Sequence, residues 1–74
     1  MDALERYCAR LGRHVRELRV ERNLTQEDMM ERGFSLRHYQ RIEAGRSITI
    51  ATVWKLARAF DVEPRDVLPA TGKR

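Results

Sequence analysis

The chain has 74 residues, with 15 Lys and Arg against 11 Asp and Glu, which gives a net charge of +4. This length predicts one small domain over residues 1–74 and leaves no room for a separate catalytic domain. The single cysteine, Cys8, excludes an internal disulfide framework, and no apolar run approaches the roughly 20 residues of a membrane span. We therefore expect a soluble, basic, cytoplasmic domain.

The basic residues are strongly biased towards arginine, because 13 of the 15 are Arg and only Lys55 and Lys73 are Lys. The planar fork of Arg suits phosphate groups and guanine edges, which points to nucleic acid as a partner. The codon preference of a GC-rich genome is the alternative explanation. The positions of the arginines must therefore decide between the two.

Apolar residues recur at helical spacing along the whole chain, and they predict a first helix over residues 3–22. Asp2 is a candidate N-cap for this helix, and Asn23 tolerates the left-handed conformation that ends a helix. Thr25 is a candidate cap for a short second helix over residues 26–32. We expect that helix to bury both Met29 and Met30.

Ser35 caps a predicted third helix over residues 36–44, which Gly45 ends. Thr49 caps the fourth helix, and Pro64 suits the first turn of a fifth helix over residues 64–68. The apolar face of the fourth helix is predicted to consist of Ile50, Val53, Leu56, Ala57 and Phe60. Five helices with short connections predict a compact all-α domain with its core in residues 3–68 and a frayed tail at 69–74.

The second and third helices are separated by Gly33, Phe34 and Ser35 alone, which is the spacing of a helix-turn-helix. A solvated helix face is the alternative interpretation of the third helix, but its place directly after a tight turn favours a role in binding. Arg pairs with guanine edges and Gln with adenine edges in the major groove. The polar face of the third helix consists of Arg37, Gln40, Arg41 and Ala44, opposite Tyr39 and Ile42.

Three stretches follow one another along residues 11–68: RELRVERNLTQED, then YQRIEAG, then TVWKLARAFDV with a closing DVL. In this order and spacing they resemble the Cro/repressor-type (XRE) helix-turn-helix family. The resemblance implies a five-helix, lambda-repressor-like DNA-binding domain. It also implies a regulator of transcription that acts as a homodimer on a palindromic operator.

The resemblance implies roles for single residues. Arg19 and Glu43 would form a partly buried salt bridge between the first and third helices. The positions that read bases would be Leu36, Arg37, Gln40 and Arg41. The positions that contact DNA phosphates would be Gln26, Ser35, His38 and Arg46.

Two departures from the family pattern lie at the helix-turn-helix. The turn between Met30 and Gly33 is one residue shorter than usual, and Met30 replaces a small residue that lets the second and third helices pack closely. Tyr39 occupies a position that is usually aliphatic, so its hydroxyl needs a polar partner or a route to solvent. We therefore expect an altered crossing angle between the two helices.

Trp54 lies at the flank of the apolar face of the fourth helix. It is interpreted either as partly buried against the fifth helix or as the anchor of a dimer interface, joined by Val62, Val67 and Leu68. His14, His38 and Cys8 do not have the spacing of metal ligands, and no nucleophile has a catalytic context. No enzyme activity, cofactor or metal is therefore predicted.

Together these features predict a sequence-specific regulator of transcription that binds double-stranded DNA as a homodimer in a bacterial or phage setting, associated with the nucleoid. The alternative is a protein-interaction module of the same fold, such as an antitoxin, in which DNA binding is secondary and a protein partner dominates. Restriction-modification controllers, antitoxins and phage repressors all stay open as the subclass.

Overall fold

The computed structural model describes residues 2–70, and these form five helices without a strand. This order confirms the predicted all-α, five-helix architecture. The second helix is a 3-10 helix and the others are α-helices. Residues 71–74 of the predicted tail lie outside the described residues. In chain order the helices are Ala3–Glu21, Glu27–Arg32, Leu36–Glu43, Ile50–Phe60 and Pro64–Val67.

Side-chain caps begin the first, third and fourth helices as predicted. The Asp2 carboxylate accepts a hydrogen bond from the Glu5 backbone N over 2.8 Å, and the Glu5 carboxylate accepts one from the Asp2 backbone N over 2.9 Å. Ser35 and Thr49 cap their helices with a side-chain oxygen 3.1 Å from a backbone N of the first turn. Asn23 has φ 58°, which confirms its left-handed conformation after the first helix. The helix boundaries therefore follow from local chemistry.

The second helix corrects one prediction about the core. Thr25 and Asp28 exchange hydrogen bonds at its start, but the coil that follows is 3-10 rather than α. Successive side chains of a 3-10 helix point about 120° apart, which is wider than in an α-helix, so Met29 and Met30 face in different directions. Met29 is fully buried, whereas Met30 is 53% exposed. Met30 therefore does not obstruct the packing of the second helix on the third.

The 3-10 geometry also accounts for the shortened turn. A 3-10 helix rises about 0.5 Å more per residue than an α-helix, which adds about 3 Å over six residues. That gain is close to the ~3.3 Å that one missing extended residue would supply. The tighter coil of Glu27–Arg32 therefore carries the chain to Gly33 with one residue fewer.

The first helix packs closely against the end of the third at Gly12. A Cβ at this position would lie 2.6 Å from the backbone O of Glu43 and 2.8 Å from that of Ile42. Glycine therefore permits this approach and sets the position of the third helix. The side chains that fill the core beneath it and lose essentially all contact with solvent are Tyr39, Phe60, Met29, Ile42, Leu56, Val15 and Val67.

Ile50 does not belong to the apolar face that was predicted for the fourth helix. It is the first residue of that helix and is 69% exposed. Val53, Leu56, Ala57 and Phe60 are buried as expected. Thr52 and Val53 of the same turn are buried, so the core reaches this turn but not its first residue, and helical spacing alone placed Ile50 on the wrong side.

The end of the described chain is fastened to the first helix. Tyr7 Oη donates to the carbonyl of Pro69 over 2.7 Å, and the Arg10 guanidinium donates to the carbonyl of Ala70. His14 Nε2 lies 2.7 Å from the carbonyl oxygen of Asp66, which can act only as an acceptor. Residues 69 and 70, which the sequence placed in a frayed tail, are therefore held by hydrogen bonds.

Candidate nucleic-acid interface

The third helix presents a polar face to solvent because its opposite face is buried. Tyr39 and Ile42 have essentially no exposed surface, while Arg37, Gln40 and Arg41 are exposed. Leu36, at the start of the helix, is half-buried. A depression of about 390 Å³ lies beside this face, lined by Ser35, Arg37, His38 and Arg41. The sequence-predicted base readers and two of the predicted phosphate contacts therefore share one surface.

A chain of hydrogen bonds orients the Gln40 side chain. Gln40 Nε2 donates to Gln26 Oε1 over 3.2 Å, and Gln26 Nε2 donates to Glu43 Oε1 over 3.0 Å. The ionised Glu43 carboxylate only accepts, so Gln26 must turn its amide nitrogen towards it. The Gln26 oxygen then faces Gln40, which must turn its own amide nitrogen inward. One N–H and the carbonyl oxygen of Gln40 remain available, and this is the pair that adenine matches in the major groove.

Arg19 fixes the Glu43 end of this chain. Its Nε donates to Glu43 Oε2 over 2.7 Å, and its Nη2 donates to Glu43 Oε1 over 3.2 Å. A third guanidinium hydrogen bond reaches the carbonyl of Leu24 over 2.8 Å. Both charged side chains are largely buried, with 11% and 7% of their surface exposed. The pair therefore joins the first helix to the third with defined geometry.

The electrostatics of this pair keep both groups charged. Burial by itself opposes ionisation of Glu43, but the interactions of its carboxylate with Arg19, the Tyr39 hydroxyl and Gln26 outweigh it and lower the Glu43 pKa. The hydrogen bond to Glu43 raises the pKa of Arg19, against the smaller effect of its own burial. The polar chain behind the exposed face is therefore anchored on a carboxylate that stays ionised.

Tyr39 lies next to this pair, and its hydroxyl interacts electrostatically with both Glu43 and Arg19. Its hydroxyl is buried and has no hydrogen-bond partner among the described residues. The ring packs edge-on against Phe34, with the centroids 5.8 Å apart. Burial, followed by the neighbouring Glu43 carboxylate, raises the pKa of Tyr39, so the hydroxyl stays protonated. The Glu43 carboxylate is thus the polar neighbour of the hydroxyl, without a hydrogen bond of ordinary geometry between them, while the ring acts as a core side chain.

Two of the predicted phosphate contacts lie towards the ends of the third helix. His38 is exposed, and its ring centroid lies 6.0 Å from that of Phe34. Arg46 is exposed in the loop just beyond the helix, where its backbone N donates to the carbonyl of Arg41 over 3.1 Å. Both side chains therefore lie at the rim of the polar face.

The residues predicted at a dimer interface separate into two groups. Trp54 is 54% exposed and Leu68 is 39% exposed, while Val62 is half-buried against the core. Val67 has no exposed surface, so its prediction as an interface residue is wrong. It occupies the inward side of the short fifth helix and packs in the core.

Sequence reasoning did not single out a second basic feature beside the turn. Arg32, Lys55 and Arg58 line a cleft of about 410 Å³ together with Gly33 and Ala59. The available signal was the spacing of Lys55 and Arg58, which places them three residues apart on one side of the fourth helix. Arg32 belongs to a different element, so the sequence alone could not bring all three together.

The described residues include no group of three or more His, Cys, Asp or Glu side chains placed to hold a metal ion. Of the helices within residues 2–70, none is long and apolar enough to cross a membrane.

The helix-turn-helix family matches this chain over residues 15–67, which is most of its length. The match begins inside the first helix and extends to the last residue of the fifth. It contains the Arg19–Glu43 pair and the whole of the third helix. No curated protein and no solved structure gives a significant match to the chain.

Proposed function

The chain belongs to the helix-turn-helix family of the Cro/repressor (XRE) type, a DNA-binding and non-enzymatic kind of domain, and from this premise we propose a sequence-specific regulator of transcription. It binds duplex DNA as a homodimer on a palindromic operator. The observation that carries this proposal is the fixed orientation of Gln40, since an exposed amide held by a chain of hydrogen bonds is prepared to discriminate between bases. This function places the protein at the nucleoid, in the cytoplasm.

The third helix reads bases from the major groove, which is about 12 Å wide and admits one α-helix. Arg37 and Arg41 are exposed guanidinium groups that suit guanine, and Gln40 suits adenine. Leu36, at the edge of the face, supplies apolar contact for a thymine methyl group. Base discrimination is therefore divided among side chains of one helix.

Phosphate contacts set the position of that helix on the duplex. Gln26 uses one amide N–H for Glu43 and keeps the other for a phosphate oxygen. Ser35 Oγ accepts a hydrogen bond from the helix, so its own O–H remains available to donate. His38 and Arg46 extend these contacts at either end of the helix.

The homodimer forms through the exposed apolar side chains of the fourth and fifth helices. Trp54 and Leu68 provide the exposed surface, with Val62 beside them. Trp is enriched at the energetic centres of interfaces, and one on this face gives a twofold dimer its anchor. Such a dimer presents its two reading helices to successive major grooves about 34 Å apart.

Selection of bound duplexes from a random pool tests the proposal. We expect an enriched motif with twofold symmetry and half-sites about one helical turn apart. The matched control is the Arg37→Ala/Gln40→Ala variant, which should bind without enriching the same motif. Tight binding by the unaltered protein with no preferred motif would show that it is not a specific regulator, and would favour a protein-interaction module.

Sedimentation tests the dimer separately. The wild-type protein should sediment as a dimer on the selected duplex, and Trp54→Ser should shift it towards a monomer. Ile50→Ser is the matched control because it removes another exposed apolar side chain of the same helix. A wild-type monomer both free and on its best duplex would refute the dimer.

A further inference from the structure

Three basic side chains line the cleft beside the turn. It lies between the end of the second helix, which supplies Arg32, and the fourth helix, which supplies Lys55 and Arg58. The described residues that line it include no carboxylate and no large apolar side chain. Protein interfaces have an apolar centre, whereas interfaces with DNA are polar and positively charged. The composition of the cleft therefore favours a phosphate group over an acidic protein segment.

Two of the three cations are held in place before any ligand arrives. Lys55 Nζ lies 4.6 Å from the centroid of the Phe34 ring, which is a cation–π contact. The Arg32 guanidinium donates to the carbonyl of Ala59. Gly33 leaves the space between these two side chains open, because a Cβ there would lie 3.3 Å from Lys55 Cε. The φ of Gly33 is 102°, a conformation that favours glycine. Less side-chain freedom is therefore lost when an anion binds.

Phe34 connects this cleft to the reading helix. The ring that carries Lys55 on one side lies 6.0 Å from the His38 ring, in the first turn of the third helix. A helix in the major groove has a row of phosphates on each side, with one charge for every 3.4 Å along each strand. Cations fixed this close to the start of that helix lie next to the backbone that borders the groove.

We propose that the cleft formed by Arg32, Lys55 and Arg58 binds a backbone phosphate of the duplex outside the base pairs read by the third helix. This inference rests on the proposed DNA-binding function and adds to it a contact with flanking DNA. The contact carries no sequence information of its own. It increases affinity and fixes how far the duplex must extend beyond the operator.

The test compares two duplexes that share the sequence enriched by selection. The short duplex ends at the outermost base pair of the motif, and the long duplex extends about ten base pairs, one helical turn, at each end. Affinities are measured over a range of salt concentrations for the wild type and for Lys55→Gln/Arg58→Gln. Arg13→Gln/Arg16→Gln is the matched control, because it removes two exposed charges of the first helix.

The affinity of the wild type should fall more steeply with salt on the long duplex than on the short one. The slope of log affinity against log salt concentration should differ by about 0.9 for each phosphate neutralised in each subunit. Lys55→Gln/Arg58→Gln should lose this difference and keep the wild-type affinity for the short duplex. The Arg13→Gln/Arg16→Gln control should change the affinity for the two duplexes by the same factor. Arg58→Gln alone gives a milder variant, and thermal unfolding shows that each variant folds.

Equal effects of Lys55→Gln/Arg58→Gln on the two duplexes would overturn the proposal. Saturable chemical-shift changes confined to the cleft on addition of inorganic phosphate, with no effect of duplex length, would overturn it in favour of a free anion. Binding of a poly-glutamate peptide that the variant abolishes, again with no effect of length, would overturn it in favour of an acidic protein. Failure of the wild type to bind any duplex would instead refute the proposed function.

Discussion

Gln40 Nε2 donates a hydrogen bond over 3.2 Å to Oε1 of Gln26, so the residue that precedes the second helix orients a side chain on the exposed face of the third. Gln26 is oriented in turn by the Glu43 carboxylate. A glutamine free in solution exposes its oxygen and nitrogen in either arrangement, whereas this contact selects one. The polarity of the Gln40 amide is therefore set before DNA binds.

Gln26→Ala should relax base preference at the position that Gln40 reads. The variant removes the acceptor for Gln40 Nε2, so that the Gln40 amide can turn over. We expect discrimination for the preferred base to fall by about 1–3 kcal/mol at that one position, together with some loss of overall affinity. Binding to duplexes changed at single base pairs measures this effect. Glu31→Ala is the control on the same helix, and an unchanged base preference in Gln26→Ala would disprove the orienting role.

Acid should destabilise the domain through Glu43. The folded-state pKa of Glu43 lies below its ordinary value near 4.5, so the folded state binds fewer protons than the unfolded state in that range. The contribution of Glu43 to the free energy of unfolding is complete at pH values above its ordinary pKa. This contribution is lost as the pH falls through the lower, folded-state pKa. Urea unfolding between about pH 6 and pH 3 should show this loss, and Glu43→Gln should reduce its slope. A slope that Glu43→Gln leaves unchanged would assign the loss to other carboxylates, such as Asp28, whose pKa the Thr25 backbone hydrogen bond also lowers.

Gly12→Ala should destabilise the fold and disturb the third helix. The new methyl group would lie well inside contact distance of two backbone carbonyl groups, which cannot rotate away as a side chain would. Overpacking of this kind costs about 1–3 kcal/mol. Denaturant unfolding measures the cost, and affinity for the selected duplex measures the displacement. Arg13→Ala, at the neighbouring exposed position, is the control. Wild-type stability in Gly12→Ala would mean that the two helices separate freely.

Tyr39→Phe should leave the free energy of unfolding unchanged or raise it by about 1–2 kcal/mol. The buried hydroxyl makes no hydrogen bond of ordinary geometry with the described residues, so its removal spares the cost of taking a polar group out of water. Thermal and urea unfolding at neutral pH measure the effect. Tyr39→Leu is the companion variant, and it should be less stable because it loses the edge-on contact with Phe34. A clear loss of stability in Tyr39→Phe would reveal a hydrogen bond made by the hydroxyl.

The fold was predictable because its signals are local. Caps such as Asp2, Ser35 and Thr49 interact with backbone groups three residues away, so the sequence contains both partners within one turn. The exposure of Met30 and Ile50 was not predictable in this way. It depends on the type of helix for Met30, and for Ile50 on which residues of the first turn of the fourth helix contact the core.

The residues of the candidate site could be predicted from the sequence, but the hydrogen bonds between them could not. The resemblance to the family supplied Gln26, Gln40 and Glu43 as separate positions. The hydrogen bonds that join them link residues 14 and 17 positions apart in the chain, so no local sequence pattern predicts them. The basic cleft could not be predicted from a local pattern either, because only the folded turn brings Arg32 close to Lys55 and Arg58.

The fastening of Tyr7 to Pro69 has a consequence for folding kinetics. This hydrogen bond joins residues 62 positions apart, and both lie outside the residues that the helix-turn-helix family matches. Closing so long a loop costs more chain entropy than closing the shorter loops within the helix-turn-helix, so we expect the contact to form after the rate-limiting barrier. Interactions made after that barrier slow unfolding and leave the folding rate almost unchanged. The Tyr7–Pro69 hydrogen bond should therefore lower the unfolding rate of the domain more than it raises the folding rate.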